Sequence, residues 1–372
     1  MYRSSAILVL SAALIGFAAW RTPRMHPDNV CCDHFFYRAM ADRRPEWSSV
    51  QPGTMLSAVY HSPVGSRFLH AENALYLQPP YCYRILTPTI VRALSAGGVS
   101  LNNAFYAVSV AGLVLTGWGI GMLVLHTAPL WCALCAVVAF GTHTAAVHVN
   151  LYDFMLVDAL TYAGLAWGIY CLAVGRRVAF FAIVLLGALN KEIVLALLPC
   201  AVLYEWRRLA APPWHIITAS GSLIASYALF RWSVPVPVNT YSPAAVFVGL
   251  PPQAWADFWG VFGALGVLAL MRCWRRREAW AFVPLLAAVA VASVCASDTL
   301  RVYLLAFPAF TAMAAVATTP LGIAGPFVLL VAQRLAGVPA VAVVPTIVGI
   351  EIVDRYWARS RRPARFNERC AE

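Results

Sequence analysis

Apolar residues run along this chain in long continuous stretches separated by short polar breaks. The first stretch, 4–20, follows Arg3 and ends at Trp20-Arg21. Later ones cover about 101–125, 129–149, 153–174, 214–232, 253–271, 279–297, 302–318, 321–334 and 338–353. Runs of this length match the roughly 20 apolar residues of a bilayer-spanning helix. An outer-membrane barrel would instead alternate over strands of about ten residues. Region 178–206 is apolar but broken by Asn190-Lys191-Glu192, with Arg176-Arg177 before it and Arg207-Arg208 after it. Two short helices in a hairpin put both arginine pairs on one side, as the positive-inside rule prefers. With that hairpin the pattern predicts an all-α polytopic membrane protein of about twelve transmembrane or membrane-embedded helices.

The expected organisation is a signal anchor and first transmembrane helix (1–20), an outer loop with interfacial helices (21–100), a transmembrane bundle (101–353) and a basic cytoplasmic tail (354–372). A cleaved signal peptide ending near Ala18-Ala19 is the alternative for the first segment. Both termini are expected on the cytoplasmic side of a cell inner or plasma membrane, with the first long loop outside. The segment opening at Tyr83 and running to about Leu94 is too short to span.

Composition strengthens this picture. The 372 residues are 61% hydrophobic and 12% charged, against about 45–50% and about 25% for soluble domains. Sixty residues between Arg92 and Asp153 contain no Asp, Glu, Lys or Arg. These figures argue against a soluble enzyme, a secreted disulfide scaffold and a disordered chain. The net charge is +11, yet the basic residues cluster between apolar runs. There they read as topology signals, and no nucleic-acid partner is expected. Of 27 basic residues 26 are Arg, which singles out Lys191.

On this topology the ionisable residues at membrane depth collect at the outer face: Asp28, Asp33, Arg84, Asp153, Asp158, Lys191, Glu192, Asp298 and Arg301. A charge inside a membrane costs about 2.5–3.5 kcal/mol or more and usually lines a polar cavity, so a shared cavity is expected. Local readings stand beside this one. Lys191-Glu192 also reads as a hairpin turn, and Asp298 with Arg301 as an i,i+3 surface pair. Asp153 reads as a helix cap and Asp158 as the residue facing the bundle. His148 can approach Asp153, but nothing indicates a metal, and the cofactor stays open. Cys132-x-x-Cys135 reads as core. A bridge from Cys31 or Cys32 to Cys82 would hold Asp33 near Arg84 in an oxidising compartment.

Carboxylates beside cations in an apolar setting suit a phosphate-bearing lipid. Cations hold the phosphate, a carboxylate deprotonates an acceptor hydroxyl and apolar helices hold the tail. Four motifs then carry a resemblance: Asp33-His34-Phe35-Phe36-Tyr37-Arg38-Ala39, Tyr83-Arg84-Ile85-Leu86-Thr87-Pro88, Asn190-Lys191-Glu192-Ile193 ending at Leu198-Pro199, and Asp298-x-x-Arg301 followed by Leu304 to Pro308. Together they resemble the GT-C class of integral-membrane glycosyltransferases that use polyprenyl-phosphate sugars. The resemblance implies Asp33, with Asp28 as alternate, as the catalytic base, and Arg84, Lys191 and Arg301 as donor-phosphate contacts. Asp158, Glu192 and Asp298 would support them. It also implies a polyprenyl-phosphate-sugar lipid and a glycan, lipid or protein acceptor as partners at the outer face of the membrane, with a hexosyl- or pentosyltransferase activity. Family members often carry paired acids in the first loop, where this chain has Cys31-Cys32-Asp33. A lipid or solute transporter and a non-catalytic multi-pass protein are the competing readings.

Overall fold

Small residues decide how the longest helix meets its neighbours. The computed structural model describes residues 2–25, 37, 38, 40, 41, 83–233, 254–273, 277–294 and 299–316, with five isolated positions after 320. Every regular element among them is helical. In chain order the α-helices are α1 (Tyr2–Arg21), α2 (Leu86–Ala96), α3 (Leu101–Thr127), α4 (Leu130–Gly141), α5 (Val149–Tyr152), α6 (Asp158–Ala173) and α7 (Arg177–Ala188). They continue as α8 (Leu197–Leu209), α9 (Trp214–Ser233), α10 (Ala254–Cys273), α11 (Val283–Val294), α12 (Thr299–Leu304) and α13 (Phe307–Val316).

Helix α3 is the axis of the fold. Its Gly112 sits against the backbone of Ala159 and its Gly119 against Ala166, so α3 and α6 run parallel. A Cβ at Gly112 would stand 2.8 Å from the Ala159 carbonyl carbon, so glycine is what permits the close approach. On another face Gly117 meets Ser11 and Gly121 meets Ile7, which makes α1 antiparallel to α3. The Ser11 hydroxyl donates to the Val114 carbonyl at 2.9 Å across that seam. Helix α7 returns antiparallel along α6, where Gly164 faces Gly187 and Gly168 lies near Ile183. Arg177 at the start of α7 bonds Glu205 near the end of α8 at 3.3 Å, so the expected hairpin of two short helices is present. These directions give the bundle two ends. One gathers the starts of α1 and α7 with the ends of α3, α6 and α8. The other gathers the starts of α3 and α6 with the turn between α7 and α8.

The expectation of about twelve spans is overturned. Among the described residues two helices, Tyr2–Arg21 and Leu101–Thr127, are long and apolar enough to cross a membrane. A third span arises only if Leu130–Gly141 and Thr144–Tyr152, which meet at 63°, count as one. The run expected as a span over 153–174 yields α6, which has 16 residues. At 1.5 Å per residue it is about 24 Å long, short of a hydrocarbon core of about 30 Å. The run over 279–297 yields the 12-residue α11, and that over 302–318 is split between α12 and α13. The polytopic bundle, the GT-C-like architecture and the multi-pass inner-membrane placement fall with the span count.

The physical reason lies in what surrounds these helices. A helix apolar on every face is either buried among other helices or facing lipid, and sequence alone does not separate the two. Here Phe105, Leu113 and Ile120 of α3, Tyr162, Leu165 and Ile169 of α6, and Phe307 of α13 are buried in one common core. Phe262 of α10 and Phe310 of α13 lie 4.2 Å apart, centroid to centroid, in the same core. The runs over 321–334 and 338–353 and the tail fall outside the described residues, apart from isolated positions.

Candidate functional site

The turn between α7 and α8 is where the fold concentrates its buried charge. Helix α7 closes on Gly187, whose carbonyl accepts the N–H of Asn190 at 3.0 Å and of Lys191 at 2.8 Å. Lys191 is extended, with φ −160° and ψ 126°, and a tight helical turn, Glu192–Ala196, leads into α8. That turn lies flat on α7 because Gly187 has no side chain. A Cβ there would come within 2.7 Å of Val194.

Asn190 fixes the turn in place. Its side chain is fully buried and donates to the Val157 carbonyl at 2.7 Å and the Thr161 hydroxyl at 2.9 Å. It accepts from the Thr87 hydroxyl at 2.6 Å. The Leu86 N–H adds a backbone bond to the Leu189 carbonyl at 3.0 Å. One amide thus ties the turn to α2 and to the start of α6, leaving no donor of that amide idle.

The neighbouring residues form two joined ion clusters. Asp158, buried at the start of α6, accepts from Lys191 Nζ at 2.5 Å on one oxygen. Its other oxygen accepts from Arg301 Nε at 2.9 Å and from the same guanidinium's Nη2. Beside it Arg84 holds Glu192 through two parallel bonds, Nε to Oε2 at 3.1 Å and Nη2 to Oε1 at 2.9 Å. Arg84 Nη1 donates to the buried Tyr37 hydroxyl at 2.9 Å. The paired geometry uses the planar fork that guanidinium offers and ammonium does not.

The charges hold one another ionised. Burial pushes the Asp158 carboxyl up, but Arg301 and Lys191 outweigh it and keep it well below the usual carboxylate range. Burial also raises Glu192, and the adjacent Arg84 brings it down to about 2. Burial works against the Arg84 guanidinium, yet Tyr37 and Glu192 leave it raised well above its ordinary value.

A pocket of about 360 Å³ opens on this cluster, lined by Arg84, Lys191 and Glu192 together with aliphatic side chains that include Ile193, Val302 and Leu305. A second pocket of about 410 Å³, bounded by Leu86, Trp118, Trp167 and Leu186, has no charged side chain in its lining.

The structure brings together five of the residues singled out from sequence: Arg84, Asp158, Lys191, Glu192 and Arg301. Asp28, Asp33 and Asp298 lie outside the described residues, as do Cys31, Cys32 and Cys82. Two placements differ from expectation. Asp158 begins its helix instead of lying one turn inside it, because 153–157 form a turn. Arg301 reaches Asp158, 143 positions away, and is not among the residues lining the pocket. His148 Nδ1 stands 2.6 Å from the Thr22 hydroxyl. Cys132 and Cys135 form no disulfide, and Cys132 is buried, in line with a core reading. Among the described residues no group of three or more His, Cys, Asp or Glu stands close enough to hold a metal. Sequence reasoning missed Tyr37 and the binding role of Asn190. Asn190 carried a signal, a lone amide flanking a helix break inside an apolar run. Tyr37 carried none.

No protein-family model, curated protein or solved structure matches this chain. The resemblance to the GT-C class therefore finds no counterpart in either the comparisons or the helix architecture. The membrane glycosyltransferase reading that rested on it is overturned, together with the multi-pass alternatives.

Proposed function

We propose that the pocket beside Lys191 and Arg84 binds an amphipathic anion, a molecule with a phosphate or carboxylate head and an apolar chain. The supporting observation is the mixed lining, in which Lys191 and the Arg84–Glu192 pair share one pocket with aliphatic side chains. The Lys191 ammonium has three donors and gives one to Asp158. The others serve an anionic head, and the charge-assisted bond is the strong contact in such a site. Ile193, Val302 and Leu305 offer the chain a dry wall. Asp158 and Arg301 act behind Lys191, fixing the ammonium at the pocket edge. At about 360 Å³ the space falls at the lower end of the range for small-molecule sites, about 300–1,000 Å³.

The test is titration calorimetry of the full chain with farnesyl phosphate, farnesol and inorganic phosphate. Farnesyl phosphate should bind more tightly than either partial ligand. Lys191→Gln removes the charge and should weaken farnesyl phosphate about tenfold or more, the worth of one charge-assisted bond, while barely moving farnesol. Equal affinity for farnesol and farnesyl phosphate would remove the reading. Tight binding of inorganic phosphate alone would confine it to a plain anion site.

A further inference from the structure

The end of the bundle opposite the pocket is built differently. Arg3 at the start of α1, Arg176 and Arg177 at the start of α7, and Arg207 and Arg208 at the end of α8 are all exposed. The helix directions bring these three termini to the same end. Among the described side chains there, the carboxylate is Glu205, 1% exposed, which Arg177 contacts at 3.3 Å and Arg208 at 3.9 Å. Its Oε1 is buried without a hydrogen-bond partner, so this acid is turned inward and, among the described side chains, the outer surface is left to the arginines. Large aromatic rings stand exposed at the same end: Tyr2 at 84%, Trp206 at 48% and Trp214 at 67%.

We propose that this end docks on an anionic lipid surface, with the arginines on the headgroups and the rings at the headgroup level between them. Charge complementarity selects an anionic partner. The rings select lipid over nucleic acid, because tryptophan and tyrosine favour the boundary between apolar and wet surroundings. The proposal is independent of the pocket, which lies at the other end.

The experiment is flotation of the full chain with vesicles of phosphatidylcholine alone or mixed with phosphatidylglycerol, at low and high salt. Binding should favour the anionic vesicles, and the preference should shrink as salt rises. A basic residue near such a surface contributes about fivefold, so R3Q/R176Q/R207Q should lose about a hundredfold of that preference. Those three positions leave the Arg177–Glu205 pair untouched. The matching lysine variant should keep the preference, because a lipid surface reads charge and not the guanidinium fork. A single Arg207→Gln, with about a fivefold loss, serves if the triple variant unfolds. Equal binding of wild type to both vesicles would overturn the proposal. So would an unchanged preference in the folded triple variant, or release from anionic vesicles by a short RNA or an acidic peptide at matched charge.

Discussion

Asp158 and Lys191 stand 33 positions apart in sequence and 2.5 Å apart in space. That contact joins the start of α6 to the turn after α7, and Arg301 completes it from α12. Asp158→Asn keeps the shape and removes the charge, leaving two cations facing each other without their counter-ion. Breaking a buried pair from one side costs about 3–5 kcal/mol, so the urea midpoint should drop sharply. Asp158→Asn/Lys191→Gln should be less damaging than the sum of its two parts. Additive losses would show that the pair does not interact energetically.

Asn190→Ala should destabilise the chain by about 2–3 kcal/mol, since it leaves the buried Thr87 hydroxyl without its acceptor. The damage should be local. Amide exchange at Leu86, whose N–H bonds Leu189 across the same seam, should speed up more than exchange in the middle of α3.

Two glycines make a matched comparison. At Gly112 a Cβ would meet the Ala159 and Leu160 backbone at 2.8 and 2.9 Å, whereas at Gly164 the nearest atom is 3.7 Å away. Gly112→Ala should cost about 1–3 kcal/mol through overpacking against rigid backbone. Gly164→Ala should be neutral or stabilising by up to about 1 kcal/mol from helix propensity. Thermal unfolding of the two variants checks the ordering.

Acid should loosen the fold through the same cluster. Glu192 is lowered from 4.5 to about 2, so the folded state holds its proton less tightly than the unfolded chain. Its contribution is fully present above about 4.5 and is lost as pH falls towards about 2. Asp158 is lowered as well and carries the loss further down. Urea midpoints followed from neutral pH downward should fall across this window, and Glu192→Gln should flatten the upper part of the slope. A slope unchanged by that substitution would place the titration elsewhere.

Much of the local structure was legible before the fold. The continuous apolar runs predicted helices, and helices formed at 2–21, 101–127 and 214–233 close to the expected limits. The flanking arginine pairs and the break at Asn190-Lys191-Glu192 predicted a hairpin of two short helices, and the scarcity of lysine drew attention to Lys191. The number of spans was not legible. Apolar character around a whole helix records that water is excluded and says nothing of whether lipid or protein excludes it.

The sequence by itself determined that the apolar stretches are helical, that one of them breaks at Asn190-Lys191-Glu192 and which few residues carry charge, because these depend on neighbours a few positions away. Tertiary structure alone decided that Arg301 pairs with Asp158 across 143 positions and that Tyr37 backs Arg84 across 47. It also decided that helix α6 is buried by its neighbours. Those outcomes depend on which helix faces meet, and that is set by close packing at glycines such as Gly112 and Gly187, where a single missing Cβ lets one backbone reach another.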